Sequence, residues 1–136
     1  MEYNLEDKIK ILGLTDERVN FLSKLYVEEI DFYGNDNTTF RGEIINVDDV
    51  VGTTRGVGNI TWIDMLKIQV HKNRNFDIYN SVKFDEVLLS NQLSDGVPLV
   101  VKKNNKYYIH GNGLHRLTFA KCIGNKRALV GITDYQ

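Results

Sequence analysis

Residues 95–124 read DGVPLVVKKNNKYYIHGNGLHRLTFAKCIG, and the order of strand, turn and helix signals within them decides the fold class. Pro98, which has no amide to give to a ladder, heads Leu99-Val100-Val101, an apolar β-branched run that reads as a strand. Asn104 and Asn105 tolerate positive φ and suit the two-residue turn of a hairpin, with Tyr107-Tyr108-Ile109 as the return strand. Successive strand residues face opposite sides, so one of the two tyrosines belongs to the core. Gly111-Asn112-Gly113 breaks the pattern. A helix follows from about residue 114 to residue 123, closed by Gly124, and residues 127–132 form a last strand.

Upstream, Asn4 caps a short helix with Asp7 at capping-box spacing, and Gly13 stops it. Thr15 opens a second helix with Asp16 and Glu17 in its first turn; Val19, Leu22, Tyr26 and Ile30 follow at helical spacing, and Gly34 ends it. Residues 1–34 thus read as an acidic helical hairpin, joined by the loop-forming residues 34–39 to a main unit over 40–136. In that unit residues 40–47 form a strand and residues 52–58 a glycine-rich loop. Thr61 opens a helix with Asp64 at the capping-box position and Ile60, Ile63, Leu66 and Val70 on one face. Residues 71–75 are a polar turn, residues 76–79 a short strand, and residues 84–93 a helix that stops at Asp95-Gly96. Alternating strands and helices predict a compact α/β domain with a mixed sheet, of the α+β kind, in one folding unit.

A chain of 136 residues is one domain and buries a core without disulfides or metal. No run of 18 apolar residues occurs, so no membrane helix is expected, and the acidic N-terminus has no apolar core of a signal peptide. The single cysteine, Cys122, permits no internal disulfide, and a cytoplasmic setting follows. The net charge of −1 hides an asymmetry. Residues 1–49 carry 12 acids against 5 Lys/Arg, residues 50–95 carry 5 of each, and residues 96–136 carry 7 Lys/Arg against one acid, Asp134. Either the basic end meets a phosphate-bearing partner, or the two ends face each other in the fold.

The chemical centre is the passage from strand through Gly111-Asn112-Gly113 into a helix. The first amides of that helix lack partners and sit at the positive end of its dipole, which makes an anion site, and glycines let a phosphate approach the backbone. His115 and Arg116 fall in the first turn, where a guanidinium grips phosphate oxygens in a two-pronged geometry. No nucleophile elbow and no Gly-x4-Gly-Lys-Ser/Thr loop is present. His71, His110 and His115 lack the spacing of a metal site, so no protein-held metal is expected.

The run from residue 95 to residue 124 resembles the signature of the ParB/sulfiredoxin superfamily: a Pro-led strand, a hairpin, and a Gly-x-x-Arg box opening a helix that ends in glycine. The box here is Gly113-Leu114-His115-Arg116, against Gly-Glu-Arg-Arg in ParB proteins and Gly-Cys-His-Arg in sulfiredoxins. Residues 44–50 and Arg55 look like the family's opening strand and first arginine-bearing motif. The resemblance is good over 95–132, loose over 40–94 and absent over 1–39. It implies a ParB/sulfiredoxin-like domain with an added N-terminal hairpin. It also implies a phosphate site for ATP or CTP with Mg²⁺, formed by Gly111, Asn112, Gly113, His115 and Arg116, with Arg55 opposite.

The departures bear on activity. Leu114 stands where sulfiredoxins carry their nucleophile and ParB its box glutamate, and Cys122, inside the helix pattern, reads as a buried small hydrophobe. No downstream Glu-Asn-x-x-Arg element and no helix-turn-helix follow before Gln136. Sulfiredoxin activity is therefore not expected, and any NTPase or nuclease activity would be weak. His115, Asp48 and Asp49 are its candidate catalytic residues, the adjacent aspartates either holding Mg²⁺ or capping the next turn. Lys102, Lys103, Lys106 and Lys121, interleaved with Tyr107 and Tyr108, are candidates for DNA or RNA contact. A third reading is a non-catalytic interaction or inhibitory protein of a phage or plasmid. It would use the basic C-terminal face or the acidic N-terminal helices, whose Glu28, Glu29 and Asp31 cluster, against a protein partner.

Overall fold

A computed structural model describes residues 4–32, 41–68, 88–89, 97–110 and 114–135, and the elements bounded within these residues are a six-stranded mixed sheet and four α-helices. The expected elements over 71–79 and most of 84–93 lie outside the described residues.

Local capping chemistry starts the first helices where the sequence predicts. In α1 (Leu5–Ile11), Asn4 Oδ1 accepts from the Asp7 amide at 2.8 Å and Asp7 Oδ2 accepts from the Asn4 amide at 3.3 Å. Gly13 follows at φ +69°, a left-handed residue that lets the chain reverse. Helix α2 (Asp16–Leu22) begins with Thr15 Oγ1 accepting from the Arg18 amide at 3.1 Å. It ends twelve residues before the expected Gly34, because tertiary pairing claims the following segment. The Trp62 amide donates to Leu25 O at 2.9 Å and the Val27 amide to Ile60 O at 2.9 Å. That extends the chain into a short edge strand, β1 (Glu28–Glu29). The N-terminal hairpin is two short helices, and Tyr26 and Ile30 do not continue the second.

Strand β2 (Arg41–Asn46) leads through a 3₁₀ turn (Val47–Asp49) into β3 (Val50–Thr53). The expected loop over 52–58 thus starts late, Gly52 and Thr53 being strand. Thr61 and Asp64 form the predicted capping box of α3 (Trp62–Ile68). The buried residues of α3 are Trp62, Met65 and Leu66, with Ile60 and Ile63 only partly covered. Strands β4 (Leu99–Lys103) and β5 (Lys106–Ile109) form the hairpin, with Asn104 at φ +53° and Asn105 at φ +63° in its turn. Helix α4 (Leu114–Ile123) and strand β6 (Arg127–Asp134) complete the order, with Gly124 at φ +90° between them.

The strand order is β1-β3-β5-β4-β6-β2. β1, β3 and β5 run parallel, while β4 and β6 run the other way. Alternation sorts the residues by face. Ile45, Val100, Ile109, Ala128, Val130 and Ile132 join one core with Leu12, Leu22, Trp62, Leu66, Leu117 and Cys122 of the helical segments. Val101 and Tyr108 point to the opposite face, which is also covered, since both are buried. Tyr108 is therefore buried without belonging to the helix-side core, and Tyr107 packs against that core half-buried. Among the described residues no helix is long and apolar enough to cross a membrane.

Candidate functional site

Because β3 and β5 are parallel neighbours, their carboxyl ends open at the same edge of the sheet, where ligand sites of α/β folds gather. β3 delivers Thr54 and Arg55 there, and β5 delivers His110. Backbone and side-chain bonds lock the two ends together. Thr53 Oγ1 donates to Ile109 O at 3.0 Å, and the Thr54 amide donates to the same carbonyl at 3.0 Å. Thr54 Oγ1 and His110 Nδ1 lie 2.7 Å apart, and the His110 amide donates to Leu99 O at 2.9 Å. Phe32, beyond β1, meets the His110 ring edge-on with centroids 5.1 Å apart. The chain leaving His110 enters α4 at Leu114, so the helix starts at this edge and Arg116 is half-buried in its first turn.

Of the sequence-predicted phosphate residues, Arg55 is exposed just past β3, its amide donating to Thr53 Oγ1 at 3.1 Å. Gly111, Asn112 and Gly113 lie outside the described residues, as does the side chain of His115. The sequence does not announce the contact between Thr54 and His110 at this edge. They are 56 positions apart and only the parallel register joins them; the cue within reach was that His110 directly precedes the glycines.

The other candidates separate from this edge. Asp48 and Asp49 precede β3, so about 10 Å of strand stands between them and Arg55. The Asp48 amide receives a cap from Asn46 Oδ1 at 3.0 Å, and Asp48 O accepts from Lys121 Nζ at 3.0 Å. They form a turn and do not fit a Mg²⁺ site beside Arg55. Among the described residues no group of three or more His, Cys, Asp or Glu is placed to hold a metal ion.

The four lysines are spread over the fold. Lys103 and Lys106 flank the hairpin turn, at the start of β5 and so at the opposite edge from His110. Lys102 and Lys103 are half-buried on opposite faces, and Lys103 Nζ sits 4.3 Å from the centroid of Tyr135. Lys106 lies 3.8 Å from Glu28. Lys121 is buried at 6% exposure near the far end of α4, where desolvation lowers its pKa against a smaller pull from Asp48, and it is not available to nucleic acid. The lysines do not surround the box.

Nor do Glu28, Glu29 and Asp31 form an acidic helical face, since the first two are edge strand. Glu28 Oε1 accepts from the Tyr108 hydroxyl at 3.3 Å across Gly52, the residue in register with both. Burial first, and then the Glu28 charge, push the Tyr108 phenol up. Glu29 Oε1 accepts from the Val57 amide at 2.8 Å. The acidic and basic ends thus meet in part within the fold, at the Glu28–Lys106 pair and where Lys121 Nζ donates to the main-chain carbonyl of Asp48. The Arg41–Asp134 pair, at 2.7 Å, joins them with the signs reversed.

Cys122 is wholly buried against the Trp62 carbonyl, and burial pushes its thiol up to about 12, which leaves it inert as a nucleophile. No family model, curated protein or solved structure matches this chain.

Proposed function

We infer that this chain is a ParB-like phosphate-binding module for a nucleotide, ATP or CTP. The opening amides of α4 and Arg116 would hold the phosphates, with Gly111, Asn112, Gly113 and His115 around them and Arg55 contributing from the β3 side. The observation that carries this reading is the convergence, at one sheet edge, of the carboxyl ends of two parallel strands and the start of a ten-residue helix. Peptide dipoles and guanidinium groups favour phosphate there more than any neutral ligand.

Binding rather than turnover is the function these side chains support. Leu114 brings no nucleophile or base, Asp48 and Asp49 belong to the far edge, and Cys122 is buried. Mg²⁺ would arrive with the nucleotide.

Calorimetric titration of the full chain with ATP and CTP, each with and without Mg²⁺, tests the reading. One nucleotide should bind wild type, and Arg116→Lys, which keeps the charge but loses the fork, should weaken it about tenfold or more. Absence of heat at millimolar nucleotide ends the proposal. The dispersal of Lys102, Lys103, Lys106 and Lys121 over two faces and the far edge argues against a single nucleic-acid track through them.

A further inference from the structure

His110 is held at two points, and the way it is held leaves one atom for a ligand. Its Nδ1 is 2.7 Å from Thr54 Oγ1, and Phe32 packs edge-to-face on the ring. The Thr54 main chain is itself fixed to Ile109 O, so the hydroxyl is presented from a rigid strand end. A histidine ring has two nitrogens, and with Nδ1 engaged the remaining polar atom is Nε2. The residue as a whole is half-buried. When the threonine hydroxyl donates to Nδ1, the neutral imidazole must carry its proton on Nε2, which is the donor form suited to an anion.

We propose that His110, set by Thr54, is a further ligand-contacting residue of this edge, its Nε2–H donating to a phosphate oxygen. Thr54 is a positioning residue that fixes the tautomer. The inference rests on the phosphate-site reading above and adds residues from β3 and β5 to a site otherwise carried by α4 and Arg55. A second donor on a separate strand would favour ligands with more than one phosphate oxygen to offer along a chain, such as a triphosphate, over a lone inorganic phosphate.

Two side-chain replacements separate the nitrogens. In His110→Asn the amide stands in for Nδ1 and keeps the Thr54 contact but has nothing at Nε2. In His110→Gln the longer amide reproduces an Nε2-like donor. The full-length variants, with Thr54→Val, are titrated with CTP, ATP, inorganic triphosphate, inorganic phosphate and a single-stranded oligonucleotide, with circular dichroism as the check on folding. Loss of one hydrogen bond to a charged group predicts about tenfold weaker triphosphate binding for His110→Asn, with His110→Gln within about threefold of wild type. In wild type, ¹⁵N-detected imidazole spectra should show the Nε2–H tautomer, and Thr54→Val should mix the two tautomers. A purely structural role for Thr54 would not move that signature.

Binding that needs Arg116 yet is indifferent to both His110 variants overturns this inference alone. An Nδ1–H tautomer in wild type does the same. Wild type that binds none of the phosphates overturns the underlying reading and this one with it. Preference for the oligonucleotide over the nucleotides, with that binding weakened by His110→Asn and kept by His110→Gln, would keep His110 as a phosphate contact and assign the phosphate to nucleic acid.

Discussion

Arg18 is the most informative stability probe, because it ties the N-terminal helices to the helix on which the proposed site depends. Its Nε donates to Cys122 O at 2.9 Å and its Nη2 to Lys121 O at 2.6 Å, satisfying two carbonyls in the last turn of α4 from α2. The guanidinium also lies 4.9 Å from the centroid of Phe21. A hydrogen bond to a charged group contributes about 1.5–3 kcal/mol, and a cation at a helix C-terminus about 0.3–1 kcal/mol. Arg18 is half-exposed, so water replaces part of each bond once the side chain is gone, and we expect a loss of about 2 kcal/mol for Arg18→Ala. Urea unfolding should then show a midpoint lower by about 1 M at an unchanged slope. Arg18→Lys, which places one charge near the same carbonyls, should recover about half. A loss below about 0.5 kcal/mol for Arg18→Ala would mean that the helical hairpin does not anchor α4.

Three shorter predictions follow from the packing. At Gly52 an added Cβ would overlap Glu28 O and lie 2.6 Å from Glu28 C, both backbone. Gly52→Ala should therefore detach β1 and cost about 1–3 kcal/mol, with amide exchange rising at Glu28 and Glu29 and not in β6. Cys122, buried with its thiol pushed up to about 12, should resist disulfide reagents at neutral pH and react only on unfolding; fast labelling of native protein would contradict its burial. The hydrogen bond from Arg41 holds the exposed Asp134 carboxyl below its ordinary 3.8. Its contribution is present above about that pH and fades as pH falls through the lower folded value, so Asp134→Asn should flatten the acid limb of a stability–pH curve.

What could be read in advance was what neighbouring residues decide. The caps at Asn4, Thr15 and Thr61, the Asn104-Asn105 turn and the stop at Gly124 depend on contacts within a few positions, and each stands where the residue types put it. The misreadings came from long-range pairing. Tyr26 and Ile30 keep helical spacing with Leu22, yet the partners of this segment are Ile60, Thr61 and Thr53, which no local pattern announces. Lys121 reads as a basic surface residue, but α4 carries it to the Asp48 carbonyl, where its ammonium lies 5.7 Å from the centroid of the Trp62 ring. Asp48-Asp49 and Arg55 are close in sequence, and only the run of β3 between them shows that they serve opposite edges. Within the candidate edge, the sequence points only to one continuous segment, the start of α4 with Arg116, while the Thr54–His110 contact depends on the parallel β3–β5 register that no local pattern announces.

The central claim is that the edge where β3 and β5 end beside the start of α4 binds a nucleotide through its phosphates. Titration calorimetry of the full chain with CTP and with ATP, in the presence of Mg²⁺, tests it most directly. One of them should bind wild type with a single-site isotherm that weakens about tenfold or more in a folded Arg116→Lys. An isotherm unchanged by that substitution, or no heat from wild type at millimolar nucleotide, would contradict it.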